Sequence, residues 1–542
     1  METPTRLTNN TTIDLAVERT ESGGLGVVYM GPNHLDGDRW FTLKTYQQSP
    51  SLAARRNIHD RFVREAITSA GIWPHPNLLP GITVLQINLQ PYILMEYAEG
   101  GNLRSHFQHG HTISTRLRWA QMIASGLLAL HTPDPDFLHP HPLVHRDLKP
   151  ENILLNARKV ARISDFGLTR AFEDNPTDDA ETDSAADDTG TRSRLIQTER
   201  GIAIGTPAYM APEQWIDTHL VGTYTDIYAF GVILSELFAG RHALLGPANR
   251  RAQPWLVLHA RQTPHSLREV TPNLPTEVET LYYGCLEKRP ENRPTASEAL
   301  TALQRAAEAM GERPYVAALL ERTSQREGHM WNRWAIAFKT FCFHEEALAR
   351  NQRALDLLPD DLDILLTHVD LLNCLNHDDE ALAYIEKGFA VVQNERDRRQ
   401  LWKLRAILQQ KREEYAASAA SFAQAQTPED ANIWCSRATL HIRWARTEWD
   451  NGHVDAAQQY LQLAETYARH AVVHNPNHPF YISLYAVLHD ELLVWGTTEP
   501  WQRCRCQRDE RGELTIKFEQ PKHLRSIVAT AIQEHSTLPI GQ

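Results

Sequence analysis

Between residues 145 and 167 the chain reads His145-Arg146-Asp147-Leu148-Lys149-Pro150-Glu151-Asn152 and then Asp165-Phe166-Gly167. Asn152 and Asp165 offer a neutral and an anionic oxygen, the donors a hard divalent cation takes. Upstream, Ser22-Gly23-Gly24-Leu25-Gly26-Val27-Val28 places glycines where a missing Cβ leaves backbone N–H groups open to an anion. Lys44 closes the run Phe41-Thr42-Leu43 and adds a cation. Glu65, in Phe62-Val63-Arg64-Glu65-Ala66, supplies a carboxylate to orient it. Farther on stand Ala211-Pro212-Glu213 and Arg289-Pro290-Glu291-Asn292-Arg293-Pro294. Such groups suit chemistry on a polyphosphate, which is mostly positioning and charge stabilisation.

These groups need fixed elements to hold them. From about Ile13 to Leu94 the pattern is short β-type runs with one helical stretch. Val27-Val28-Tyr29 and Trp40-Phe41-Thr42-Leu43 flank Asp36-Gly37, a hairpin dipeptide. Arg61 to Ala70 reads as a helix, with Phe62, Ala66 and Ile67 on one face. From Leu103 onward the chain is mostly helical, broken by Pro-rich loops at 132–142 and 247–275. The block 173–188 carries eight Asp/Glu and no Lys or Arg, so it self-repels and buries little.

Taken in order, the motifs resemble the protein-kinase family over residues 12–305. The resemblance implies an α+β two-lobed fold, with an N-lobe at 12–94 and a C-lobe at 99–305, and ATP and Mg²⁺ as cofactors. It makes Asp147 the base for the substrate hydroxyl, with Lys149 at the transferring phosphate and Thr206 beside it. Asn152 and Asp165 become metal ligands. Ser22, Gly23, Gly24 and Gly26 turn over the phosphates, Val28 covers the adenine, and Lys44, oriented by Glu65, meets the α- and β-phosphates. Met95, Glu96 and Ala98 form the hinge, with Met95 at the back of the pocket. Lys149 with Thr206 in Gly205-Thr206-Pro207-Ala208-Tyr209 resembles serine/threonine kinases. Glu213 with its partner Arg293, and the anchoring helix from Asp226 to Gly231, point to protein substrates rather than small molecules. Glu21 departs from the pattern by replacing the first glycine. It either repels the triphosphate or points outward. It is the one feature favouring the rival reading, a pseudokinase scaffold.

From Asp165 to Glu213 the chain runs 48 residues, longer than the ~20–30 expected between these motifs. The excess is the acidic insert, followed by Thr189, Thr191, Ser193 and Thr198 among Arg192, Arg194 and Arg200. Autophosphorylation between Thr189 and Thr206 is expected, with Arg146 meeting the new charge.

Past residue 320 the texture changes. Trp331, Ala335, Phe338, Ala347, Ala354 and Pro359 form one 34-residue unit, and Ala381, Ile385 and Gly388 repeat Ala347, Asn351 and Ala354 at that offset. This resembles the tetratricopeptide repeat, though the register slips after the second unit and Asn351 sits where a large residue is usual. The competing reading is a helical bundle with a chance period. The expected organisation is a polar lead-in at 1–11, the kinase region at 12–305, a linker at 306–327, all-α TPR-like repeats at 328–496 that recruit a protein partner, and a tail at 497–542 with no readable fold.

Composition bounds the rest. In 542 residues, 55 basic and 67 acidic side chains leave a net charge of −12, which offers no general attraction to nucleic acid. Six cysteines cannot staple a chain this long and read as a reducing compartment. The start carries no secretory pattern, and the longest nearly apolar run, Tyr228 to Gly240, contains Glu236 and is too short for a membrane span. A cytoplasmic location follows as an expectation. His131, His139 and His141 read as solvated loop histidines rather than a metal site. Cys504-x-Cys506 has no second ligand pair, and the tryptophans from Trp434 to Trp449 read as repeat core rather than a base-stacking surface.

Overall fold

The computed structural model describes residues 5–8, 13–22, 26–46, 52–87, 90–134, 141–166, 170–171, 206–216, 220–245, 254–427, 430–475, 478–493, 504–508 and 514–518. The chain forms two compact units, residues 1–350 and 351–542.

In the first unit a seven-stranded antiparallel sheet comes first. Its strands are β1 (Arg6–Thr8), β2 (Asp14–Ala16), β3 (Arg19–Ser22), β4 (Gly26–Asn33), β5 (Arg39–Tyr46), β6 (Thr83–Ile87) and β7 (Gln90–Glu96). The spatial order is β1-β2-β4-β5-β7-β6, and β3 also pairs with β4. Residues 6–8 belong to the segment read from sequence as a lead-in. They form a strand because Leu7 is buried and Arg6 donates to Asp14 (Nη2–Oδ2 2.6 Å), and three residues are too few to show a period. The Asp36-Gly37 hairpin forms through a short helical turn at His34–Asp36, with Gly37 left-handed at φ 58°. Helix α1 (Leu52–Ala70) starts earlier than its apolar pattern indicates and buries Phe62, Val63, Ala66, Ile67 and Ala70.

The helical lobe is built on α2 (Ile113–His131) and α3 (Thr223–Ala239). Thr112 Oγ1 caps α2 by accepting from Thr115 N, and Gly240 ends α3 in the left-handed region at φ 66°. Almost every residue of α3 is buried, so it is apolar all round rather than striped. Around these pack α4 (Trp255–Arg261), α5 (Thr276–Cys285) and α6 (Ala296–Ala309). Gly231 lets α3 and α5 approach closely, since a Cβ there would lie 2.7 Å from Cys285 Cβ. Between the lobes run the short strands β8 (Leu143–Val144), β9 (Ile153–Leu155), β10 (Ala161–Ile163) and β11 (Arg170–Ala171), paired β8 with β11 and β9 with β10.

After α6 the chain crosses back over this lobe. Tyr315 is buried, its N–H donates to Gln121 Oε1 (2.7 Å) and its hydroxyl to Asn77 Oδ1 (2.9 Å). Then α7 (Ser324–Thr340) packs against α1 and β6. Arg333, a half-buried cation, donates Nε to Ala70 O and Nη2 to Ile72 O, each at 3.3 Å. Those carbonyls lie at the C-terminal end of α1, where a positive charge meets the negative pole of the helix. Phe341 rests on Phe62, with ring centres 6.3 Å apart. The first 34-residue unit thus begins on a helix belonging to the first compact body.

Helix α8 (His344–Leu357) leads into the second unit. Within it α9 (Leu362–Cys374), α10 (Asp378–Val391), α11 (Glu395–Lys411), α12 (Tyr415–Ala425), α13 (Ala431–Asp450), α14 (Val454–His474) and α15 (Pro479–Leu493) pack mainly on their chain neighbours. Asn351, at the position where a large residue was expected, is buried and bonded to Ile364 O (3.2 Å) and His368 Nδ1 (2.7 Å). Of the tryptophans of α13, Trp434 is buried, and Trp444 and Trp449 pack half-buried against the core: Trp444 stacks on Tyr460 at 4.0 Å and Trp434 on His470 at 4.6 Å. Ala438, Ala445, Ala464, Ala468 and Ala471 let α13 and α14 approach. In the tail, β12 (Cys504–Arg508) pairs with β13 (Leu514–Phe518), and Cys504 and Cys506 both lie on β12. No described helix is long and apolar enough to cross a membrane.

Candidate active site

A cleft of about 720 Å³ is lined by residues of the sheet, α1 and the segments around β9 and β10. Lys44 enters it from β5, opposite Val28 of β4 in the strand register. Its Nζ donates to Glu65 Oε1 at 2.6 Å and to Asp165 Oδ1 at 3.1 Å. Burial alone would lower the Lys44 pKa, but the two carboxylates outweigh it and hold the amine above its ordinary range. Burial likewise opposes the charge on Asp165, yet Lys44 keeps that carboxyl down at about 2. Both remain ionised at neutral pH.

Across the cleft, Asp147 gathers its neighbours. Its Oδ1 accepts from Thr206 N (2.8 Å) and Thr206 Oγ1 (2.7 Å), and its Oδ2 accepts from Lys149 Nζ (2.7 Å). Lys149 Nζ also donates to Thr206 Oγ1 at 2.9 Å. Asn152 Nδ2 donates to Asp147 O at 2.9 Å, and this engages its nitrogen and leaves its oxygen as an acceptor. Asp165 has Oδ2 beyond its bond to Lys44. A carboxamide oxygen and a carboxylate oxygen on one cleft wall fit a small hard cation. The backbones of Arg146 and Asp165 are both left-handed, at φ 68°. That costs about 1–2 kcal/mol at each non-glycine residue and must be imposed by neighbours.

The neighbour of Arg146 is Asp226, on α3. It accepts from His145 N (2.8 Å), Arg146 N (2.9 Å) and His131 (2.9 Å). Burial would raise the Asp226 carboxyl, but the His131 hydrogen bond and charge hold it below the usual range. His131, read from sequence as a solvated loop residue, is instead the last residue of α2, its side chain only 8% exposed. The Pro-rich loop begins after it, and α2 directs it inward. Glu213 and Arg293 form a bidentate pair (2.6 and 2.9 Å) with Arg293 fully buried, and Thr225 Oγ1 donates to Glu213 at 2.9 Å. This pins the segment after Thr206 to α3.

The remaining residues expected at the site fall as follows. Ser22, Gly26, Val28, Met95 and Ala98 line the cleft, and Met95 is buried. Glu96 carries an ion pair with Arg162. Glu21 is exposed on β3 at the cleft edge, opposite Val28. Gly23 and Gly24 lie outside the described residues, as do the acidic block 173–188 and Thr189, Thr191, Ser193 and Thr198.

Sequence reasoning missed three supports. Arg104 donates to Glu151 (2.9 Å), Glu236 (2.8 Å) and Tyr209, tying the turn Pro150–Asn152 to α3. His242 Nε2 donates to Ala208 O (2.6 Å), and His259 Nε2 to Pro207 O (3.0 Å) while its Nδ1 accepts from Tyr228 (3.0 Å). These rings hold the two residues after Thr206. Burial pushes their pKa values down to about 4 and about 3. Only the pairing of isolated polar residues with an apolar segment, as in Glu236 on α3, signalled any of this.

Residues 18–303, more than half of the chain, match the protein kinase domain family. Similar proteins include a probable serine/threonine-protein kinase PknB of Lactococcus lactis, 26% identical over 279 residues, or 51% of this chain and 39% of that relative. The serine/threonine-protein kinase pkn2 of Myxococcus xanthus is 30% identical over 285 residues, 52% of this chain and 30% of the relative. The serine/threonine-protein kinase PknB of Mycolicibacterium smegmatis is 30% identical over 281 residues, 50% of this chain and 40% of the relative. The chain therefore spans no more than 40% of the length of these three relatives.

Proposed function

Because the chain belongs to the protein kinase family, we propose that it transfers the γ-phosphoryl group of ATP to serine or threonine hydroxyls of proteins. The single observation that carries this reading is the convergence of two charge sets on one cleft: Lys44–Glu65–Asp165, and Asp147–Lys149–Thr206–Asn152. In this reading Lys44, held straight by Glu65, orients the phosphates. Asp147 accepts the proton of the substrate hydroxyl, and Lys149 balances charge on the transferring group. Thr206 belongs to the hydroxyl side, bonded to both. Asn152 and Asp165 hold Mg²⁺, which when bound neutralises phosphate charge. Ser22, Gly23, Gly24 and Gly26 surround the phosphates, Val28 covers the adenine, and Met95, Glu96 and Ala98 line its edge. Asp147→Asn, isosteric but unable to accept the proton, should lower phosphorylation of a generic protein substrate by roughly 10²–10⁴-fold. Nucleotide affinity, read by titration, should change little. Undiminished transfer by Asp147→Asn would remove the assigned base.

The chain-neighbour packing of the second unit supports a repeat surface of tetratricopeptide type that recruits a substrate or partner protein. The net charge of −12 supports a proposal without a nucleic-acid partner, and a cytoplasmic location is part of the same proposal. Phosphorylation of Thr189, Thr191, Ser193 or Thr198, with Arg146 meeting the charge, is the regulatory element proposed. One observation favours a second reading, a weak or inactive pseudokinase that works through its repeats: Glu21 stands at the cleft edge in place of a glycine. Glu21→Gly should lower the apparent ATP KM if like-charge repulsion operates, and an unchanged KM removes the basis for that rival.

A further inference from the structure

Among the described residues three imidazoles converge on the turn that follows β7. One ring nitrogen from each of His106, His109 and His111 lies within 4.8 Å of the other two, and the ring centres are 5.3–6.0 Å apart. His106 Nε2 is 2.8 Å from Gly100 O. A carbonyl only accepts, so Nε2 carries the proton and Nδ1 carries the lone pair. That lone pair faces His111 Nε2 at 3.1 Å.

The frame around the rings is rigid. Gly100 N donates to Leu155 O at 2.8 Å, and a Cβ on Gly100 would lie 2.7 Å from that same oxygen, so the carbonyl that fixes His106 has little room to move. His111 packs edge-on against buried Trp119 at 4.7 Å.

Two ring nitrogens held this closely share either a proton or a cation. Tetrahedral zinc with bonds of 2.0–2.1 Å separates its ligand nitrogens by roughly 3.3 Å, which the His106–His111 pair already approaches. Among the described residues no carboxylate joins the three, and Arg116 and Lys159 act electrostatically on His111. Such a donor set does not suit Mg²⁺ or Ca²⁺, which require oxygen, and suits a borderline-soft cation that prefers neutral imidazole. We propose that His106, His109 and His111 bind one Zn²⁺, with the Gly100 carbonyl orienting His106 from behind. The fourth ligand would be water or an anion, which the positive charge of Arg116 and Lys159 favours. The bound ion would tie the turn Leu103–His106 to the approach to α2. The site is separate from Asn152 and Asp165 and does not rest on the kinase reading.

The test uses the full chain, stripped by chelator and kept in excess Mg²⁺, titrated with Zn²⁺ and, as an optical probe, with Co²⁺ alone. One equivalent with tetrahedral Co²⁺ absorption, and a rise in Tm on adding Zn²⁺, is the expected result. In the double variant His106→Gln, His111→Gln that equivalent, its absorption and the Tm rise should all disappear. Equal binding by the double variant would place the metal elsewhere among the chain's histidines and cysteines and overturn the proposal. No tetrahedral Co²⁺ spectrum in the unaltered chain would do the same, leaving a proton-sharing histidine cluster. Should the double variant fail to fold, His109→Gln, at the exposed ligand, should weaken zinc by at least about tenfold, and unchanged affinity refutes the site.

Discussion

The lysine at the centre of the cleft shows how far a single side chain depends on its company. Lys44 is enclosed, yet two carboxylates keep it charged and hold it in one place. Lys44→Met would leave Glu65 and Asp165 facing each other without their cation. Turnover should fall by roughly 10²–10³-fold, as for loss of one preorganised donor, while circular dichroism stays unchanged. A different residue-scale effect belongs to His242 and His259. Their folded pKa values of about 4 and about 3 lie below the ordinary histidine value of 6.5, so the fold favours neutral rings. The stability this gives is complete above pH 6.5 and is lost as pH falls from there through about 4 and about 3. Each contributes a slope of up to about 1.4 kcal/mol per pH unit in that window. Thermal unfolding of His259→Gln between pH 7.5 and 5 should show a shallower decline than the unaltered chain. Parallel curves would refute the assignment. The two sides of the site differ in how plainly sequence announced them. Asp147, Asn152 and Asp165 sit in short motifs whose spacing is dictated by one loop and one strand end. His242 and His259 reach the loop after Thr206 from across the lobe, and nothing near them in sequence marks the destination.

Among the elements, α7 bears on the cleft at one remove, through α1. It lies against α1, the helix that carries Glu65, and Arg333 grips the last carbonyls of α1. A methionine at this position keeps the packing volume but loses both hydrogen bonds. Arg333→Met should cost about 1–3 kcal/mol and lower kcat several-fold by loosening Glu65 from Lys44. A double-mutant cycle distinguishes positioning from plain destabilisation. In a Glu65→Gln background Arg333→Met should lower kcat little further, whereas additive losses would show that Arg333 does not act through Glu65. Strands β4 and β5 were legible from short β-type runs about the Asp36-Gly37 hairpin, and the second half of α1 from the face of Phe62, Ala66 and Ile67. Strand β1 was not, being three residues long, and α7 read only as the start of a repeat. Its second task, packing on α1, depends on surfaces that meet more than 250 residues apart in sequence.

At the scale of the whole molecule, the match to the kinase family ends at residue 303, but the compact unit continues to Arg350. A fragment ending just past α6, at 310, leaves Asn77 and Gln121 without Tyr315, and Ala70 and Ile72 without Arg333. Several lost buried hydrogen bonds, at about 1 kcal/mol each, should lower its Tm by roughly 10 °C relative to a fragment ending at 350. Calorimetry of the two fragments measures this, and equal midpoints would show that the crossing segment adds nothing.

That crossing segment also bears on how such a gene can be recombined. A swap of the catalytic part with a relative, cut at the edge of the shared family, would import a lobe whose counterparts of Asn77 and Gln121 never evolved beside Tyr315. The hybrid's Arg333 would meet the end of a helix whose side chains were not selected around it. Only a crossover near codon 350 transmits the lobe together with its fastening, so the heritable module is longer than the part that relatives share.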